Sequence, residues 1–313
     1  MAEKKKDRAK IIRVILLIIF TGGFIYSLVS YALYHNEARN AEAKIDVLRK
    51  ELAESEAEPQ PDLFAVRPEN LSADRDGKKG GETDGEADGL TNGVTDEPEN
   101  EAEPPERIFE IVPRFRHLYG LNSDIVGWIR IAGTRIDYPV MQNKDDDLFY
   151  DRVNFEGVRD EIGLPYLDSR CEIAPKNQIQ IIFGHNIRRR GLIFHDLNLY
   201  DDREFWEENQ IIRYNTIYED GFYQIFAAIK YDVRNVKKAD FQFHRYTHFS
   251  TAKGFDNTEH NFEAWKEEIH ERALYDTGID FVIDDQYLIL STCENSTTNN
   301  FRFVILAKQV SVP

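Results

Sequence analysis

The chain is poor in cysteine, with two in 313 residues. That excludes a disulfide-rich scaffold and leaves either one structural pair or a thiol kept for chemistry. It also lacks a basic excess. The formal charge is −17, and a nucleic-acid footprint needs a basic face, so that class of partner is excluded. The acidity is unevenly placed. Residues 54–106 hold 17 Asp/Glu against four Lys/Arg, −13 of the total, leaving −4 for the rest of the chain. Bulk charge therefore says little about a substrate. Metal-ligand spacing is missing too: His244 and His248 stand four apart in HRYTH, but the glutamate of a zinc-hydrolase HExxH is not there. They read as surface histidines, and neither a metal nor a cofactor is expected. Long apolar runs are scarce, and the prominent one lies near the N-terminus.

That run, Val14 to Tyr34, is 21 residues without a charge. As a helix it spans about 31 Å, against a hydrocarbon core of about 30 Å. A secretory signal has a shorter apolar region and a small-residue cleavage site; Tyr26, Tyr31 and Tyr34 suit a membrane interface instead. An uncleaved anchor is expected. Lys4, Lys5, Lys6, Arg8, Lys10 and Arg13 precede it, so the positive-inside rule leaves a basic tail, residues 1–13, in the cytoplasm and everything after residue 34 outside. Residues 35–58 carry Ile45, Leu48 and Leu52 at helical spacing and predict a short stalk helix, either solvated or weakly coiled with a second copy. Residues 59–107 lose almost all large apolar side chains. They are expected to be a disordered acidic linker, a spacer holding the remainder off the membrane.

Residues 108–313 have the texture of a folded domain. Short apolar segments between turn residues predict strands at Gly127–Ile131, Ile136–Met141, Gln178–Phe183, Tyr223–Tyr231, Gln286–Ser291 and Phe301–Lys308. Helices are expected at Glu110–Tyr119 and Asn261–Leu274, the second with Phe262, Trp265 and Ile269 at steps of three and four. Many strands and few helices make the class mainly β, a barrel or a sandwich with added helices.

Two pieces of this domain carry chemistry. In YLILSTCENSTTNNFRFVILAKQV an apolar strand runs into Ser291, Thr292 and Cys293, and the next strand opens with Phe301 and Arg302. A cysteine at one strand end and an arginine at the start of its neighbour share one rim of the sheet. In IQIIFGHNIRRRGLIFHDL a strand ends in Gly184, His185 and Asn186, which sets an imidazole just past a strand end, facing a cleft. Each has a bland reading, a small buried hydrophobe or a structural histidine. Together, thiol, imidazole and guanidinium form a cysteine-nucleophile arrangement. With ordinary acidities the thiolate–imidazolium form would be about 1% of the pair. Arg302 keeps its charge and so serves as a cation for an oxyanion, not as a base. No acidic third member is evident; Glu294 adjoins the cysteine and suits substrate contact. Ser291 and Thr292 line the approach to the thiol or simply pack the strand. Trp265 and Ile269 either form part of a peptide groove or dock their helix. His195, in IFHDL, is set aside because GHN directly follows the strand. Cys171, after PYLDSR in an expected loop, reads as a free, non-catalytic thiol.

LSTC followed nine residues later by arginine, with GHN upstream, resembles the sortase signature. GWIRIAGTRIDYPVMQ, FYDRVNFEG, GLPYLDSRC and FGHN with GLIFHDL resemble class B members in particular, in order, over about residues 108–310. The resemblance implies a closed eight-stranded β-barrel and a two-step transpeptidation. Cys293 would attack a threonine carbonyl in a C-terminal sorting signal of a secreted protein, His185 would move the protons, and Arg302 would hold substrate and oxyanion. A peptidoglycan-precursor amine would resolve the thioester. Two alternatives stay open: a pilin lysine as acceptor, and a tethered interaction domain without turnover. Class B relatives suggest a motif that opens Asn-Pro or Ser-Pro and has Thr before the cut.

Overall fold

The computed structural model describes residues 2–57, 109–188, 190–232, 246–249, 258–293 and 301–311. The expected acidic linker, Glu294 and His244 lie outside the described residues. The strands are β1 (Ile125–Ile131), β2 (Asp137–Met141), β3 (Tyr166–Leu167), β4 (Ile179–Ile187), β5 (Leu192–Ile193), β6 (Ile211–Thr216), β7 (Phe222–Asp232), β8 (Tyr287–Cys293) and β9 (Phe301–Val310). The helices are α1 (Ala2–Ala57), α2 (Pro113–Leu121), α3 (Arg203–Glu208) and α4 (Thr258–Arg272).

The sheet runs β3-β2-β1-β6-β7-β9-β8-β4-β5, and β3 also pairs with β4. That extra pairing closes eight strands into a ring, with two-residue β5 hanging from β4 as a flap. The barrel is therefore closed, and the choice between barrel and sandwich is settled by β3. Two residues cannot show an alternation pattern, so neither β3 nor β5 was legible as a strand. β6, absent from the expected strands, pairs with both β1 and β7.

β4 and β8 run parallel, and nearly every residue of both is buried. Strands covered on both faces read as continuous apolar runs, as IQII and YLIL do here. The interior fills the barrel, while the 3-10 segment His195–Asp201 lies against β4 and β9. Helix α4 packs at β7, where Phe226, Phe249, Phe262, Trp265, Phe281 and Tyr287 form one aromatic cluster.

Helix α1 is longer than the expected span and stalk, running unbroken through both. Its stretch Ile15–Ala32 is long and apolar enough to cross a membrane, and none of it is buried in the protein. Further along, Ile45, Leu48 and Leu52 join the core of the folded domain, where α1 packs on α2 and β2. The expected stalk was either solvated or coiled with a copy. The structure gives it a partner within its own chain.

Candidate active site

The sequence put His185 just past a strand end; the structure places it inside β4, which runs on to Ile187. Gly184 makes this continuation possible. A Cβ there would come within 2.7 Å of the Phe194 ring, which packs flat on the strand. The carbonyl of His185 accepts from Phe194 N–H at 2.9 Å, tying the strand to the turn that follows β5.

Register assembles the other members. In the parallel β4–β8 pairing, position 185 stands directly beside position 293. In the antiparallel β8–β9 pairing, Ser291 faces Val304, and on the next rung Thr292 Oγ1 accepts from Phe303 N–H at 3.0 Å. One step more sets position 302 beside position 293. Adjacent strands lie about 4.8 Å apart, so the three backbone positions form a row about 10 Å long. His185, Cys293 and Arg302 are thus brought to one rim by three neighbouring strands.

The imidazole is 4% exposed. Its Nε2 lies 2.6 Å from the carbonyl oxygen of Asp151 and 3.1 Å from that residue's Oδ1. A carbonyl can only accept, so Nε2 carries the proton. The buried Nδ1 has no hydrogen-bond partner among the described residues. Asp151 closes a 3-10 turn, Phe149–Asp151. The turn is pinned by Tyr150, whose hydroxyl donates to Asp124 Oδ2 at 2.9 Å and accepts from Asn122 at 3.0 Å. Gly163, at φ +64°, lets the chain pass the Asp151 carbonyl; a Cβ would meet that oxygen at 2.4 Å. Burial alone raises the Asp151 pKa, but the hydrogen bond and charge of His185, with Arg152, more than reverse this and hold it below the ordinary carboxylate value. The expectation of no acidic third member was drawn beside Cys293. The carboxylate instead reaches the other partner, from 34 residues upstream of His185.

The remaining expected residues divide. Ser291 and Thr292 sit in the row's central strand and are buried, with the Thr292 hydroxyl committed to the β9 backbone. Trp265 and Ile269 are corrected to core: they are 4% and 1% exposed, and the Trp265 ring lies 5.2 Å from that of Tyr287. Tyr287 opens β8 and Cys293 ends it, a separation of about 20 Å along the strand. The apolar stripe of α4 is therefore spent on docking, at the far end from the row. His195 Nδ1 donates to Asn186 Oδ1, 2.7 Å away, and stands outside the row. His248 is half-buried against Asn177 at 3.1 Å, less exposed than expected. Cys171 lies in a loop between β3 and β4, as expected, and is fully buried there.

No family model matches the chain. Two curated relatives do: Sortase B of Staphylococcus aureus (strain NCTC 8325 / PS 47), 27% identical over 202 residues, and Sortase B of Listeria monocytogenes serovar 1/2a, 29% identical over 205 residues. Each match covers 64% of this chain and 76% of the relative. Among solved structures, the Staphylococcus aureus sortase B–substrate complex superposes with a TM-score of 0.55 at 26% identity, covering 65% of this chain and 88% of that one. The closed barrel falls on the folded domain that the ordered segments span. Likeness in sequence and likeness in fold converge on one family: over its folded domain the chain is similar to the class B sortases, cysteine transpeptidases of the cell wall.

Proposed function

We propose that the chain is a membrane-anchored enzyme that cuts a sorting signal after threonine and passes the acyl group to a peptidoglycan amine. The observation that carries this reading is the row of positions 185, 293 and 302 at one rim of the barrel. In the first step the Cys293 thiolate attacks the threonine carbonyl and the C–N bond breaks. The leaving amine takes a proton from His185, and a thioester remains. In the second step an incoming amine gives a proton to His185, attacks the thioester and releases the thiolate. Arg302 supplies a fixed positive charge for the oxyanion of both tetrahedral intermediates; a comparable donor is worth about 3 to 4 kcal/mol. Glu294, next in sequence to Cys293, is assigned to substrate contact. Ser291 and Thr292 shape the strand that presents the nucleophile.

Ile15–Ala32 is the anchor, with the basic tail in the cytoplasm and the barrel outside, where wall precursor and exported substrate meet. The substrate complex of the similar Staphylococcus aureus enzyme supports a peptide substrate. The motif by resemblance opens Asn-Pro or Ser-Pro, continues with Lys or Gln and places Thr before the cut.

The test uses the full chain in detergent micelles with quenched peptides of that form, with and without diaminopimelate or oligoglycine, followed by mass spectrometry. Cleavage after Thr, the amine joined to the new end, and loss of both in Cys293→Ala are expected. Cleavage that survives Cys293→Ala, or products unchanged by any amine, would overturn the reading. Joining only to a pilin-type lysine would move the acceptor and keep the chemistry.

A further inference from the structure

We propose that the Asp151 side chain is a positioning residue for this reaction, holding the His185 ring by Nε2. The inference rests on the proposed role of His185. The backbone carbonyl of Asp151 already orients the ring, and any residue at 151 would offer it. The carboxylate is specific to aspartate, and its Oδ1 stands 3.1 Å from the same nitrogen. Two acceptors on one nitrogen hold the ring's rotation more closely than the carbonyl alone. The first chemical step needs the ring in place, because His185 must give a proton to the leaving amine.

The surroundings make the contact effective. His185 is almost fully buried and the Asp151 side chain is 20% exposed, so little water screens the pair. The other oxygen, Oδ2, faces Arg152 at 3.5 Å, but Arg152 is also shared with Glu161 and is 46% exposed. On the neighbouring strand β8, position 293 pairs directly with position 185. Asp196, on the 3-10 segment after β5, is committed to Arg135 at 2.7 Å. The division of labour follows: Nε2 is held by residue 151, and Nδ1 is left to exchange protons.

The experiment compares the full chain with Asp151→Asn and Asp151→Glu, following kcat and KM for amine transfer. Asp151→Asn keeps the carbonyl, the turn and the size. It is expected to lower kcat about tenfold with KM within twofold of the parent, because the ring is no longer held for proton transfer. Asp151→Glu should return part of the loss. A loss carried by KM instead of kcat would reduce Asp151 to a structural part of the turn, and a kcat within twofold of the parent in Asp151→Asn would overturn the inference outright. Thermal midpoints of the three proteins identify any variant that merely unfolds. His185→Asn is run alongside: if it leaves turnover intact, the assignment of His185 fails, whereas loss of turnover in His185→Asn with an unaltered Asp151→Asn fails only the present inference.

Discussion

The Cys171 sulfur lies 3.5 Å from the carbonyl of Ile179, fully buried, and burial pushes its pKa up to about 12. The thiolate is the reactive form, so at pH 8 about one Cys171 in ten thousand is competent, and raising the pH to 9 improves this only tenfold. Alkylation of the native chain by iodoacetamide at pH 8 is therefore expected to stop at one label per molecule, on Cys293, with Cys171 modified only after denaturation. Peptide mapping that found Cys171 modified in the folded chain would show the core opening there. At this scale the sequence placed Cys293 at the end of one strand and Arg302 at the start of the next, because an apolar run and its polar boundary mark such an edge directly, whereas β4 runs on past His185 to Ile187. Asp151 was not disclosed. Its approach to His185 depends on how β2, β3 and β4 meet when the ring closes, and no local pattern encodes a contact between a 3-10 turn and a strand 34 residues further on.

Among the elements, α4 shows how the same spacing supports two readings until burial decides. Phe262, Trp265 and Ile269 form one stripe, and all three are buried. The Trp265 ring meets Phe249 and Tyr287 at 5.2 Å and Phe281 at 5.8 Å, in edge-on or tilted geometry favoured by aromatic pairs. Truncating such a residue costs about 3 to 5 kcal/mol through lost burial and the cavity left behind. Trp265→Ala should thus lower the thermal midpoint by on the order of 10 °C, at roughly 2–4 °C per kcal/mol for a domain of this size. KM for the peptide, measured well below that midpoint, should change little. A raised KM at unchanged stability would return Trp265 to the substrate groove. The six anticipated strands were legible because each is an apolar run with clear boundaries. Their closure was not, since it hangs on the two-residue β3.

For the whole molecule, α1 changes the relation between barrel and membrane. Reading the acidic segment as a spacer assumed that it alone connects anchor and catalytic domain. Yet Ile45, Leu48 and Leu52 precede that segment and are already part of the domain's core. Polar contacts reinforce the seat: Arg49 Nε donates to the Asp137 carbonyl at 2.8 Å with its guanidinium over the Tyr138 ring, and Lys44 meets Glu156 at 2.9 Å. Each apolar side chain buried this way contributes about 1.5–3 kcal/mol, more than the exposed ion pair, which adds at most about 1 kcal/mol. From Ala32, where the apolar stretch ends, to Ile45 is about 20 Å of helix. With Ile15–Ala32 as the proposed anchor, that length, not the residues after 58, would set the distance of the barrel from the bilayer. Deleting about half of residues 59–107 is therefore expected to leave the thermal midpoint and the transfer of a membrane-tethered substrate unchanged. Leu48→Asp with Leu52→Asp should lower the midpoint by at least several degrees. A Pro-Gly break introduced at residues 37–38 should spare stability while reducing transfer to membrane-borne partners, because it frees the barrel's orientation without touching its core. If shortening the acidic segment alone abolished transfer, and the double aspartate variant melted like the parent, the helix would be a passive leader and the spacer reading would stand.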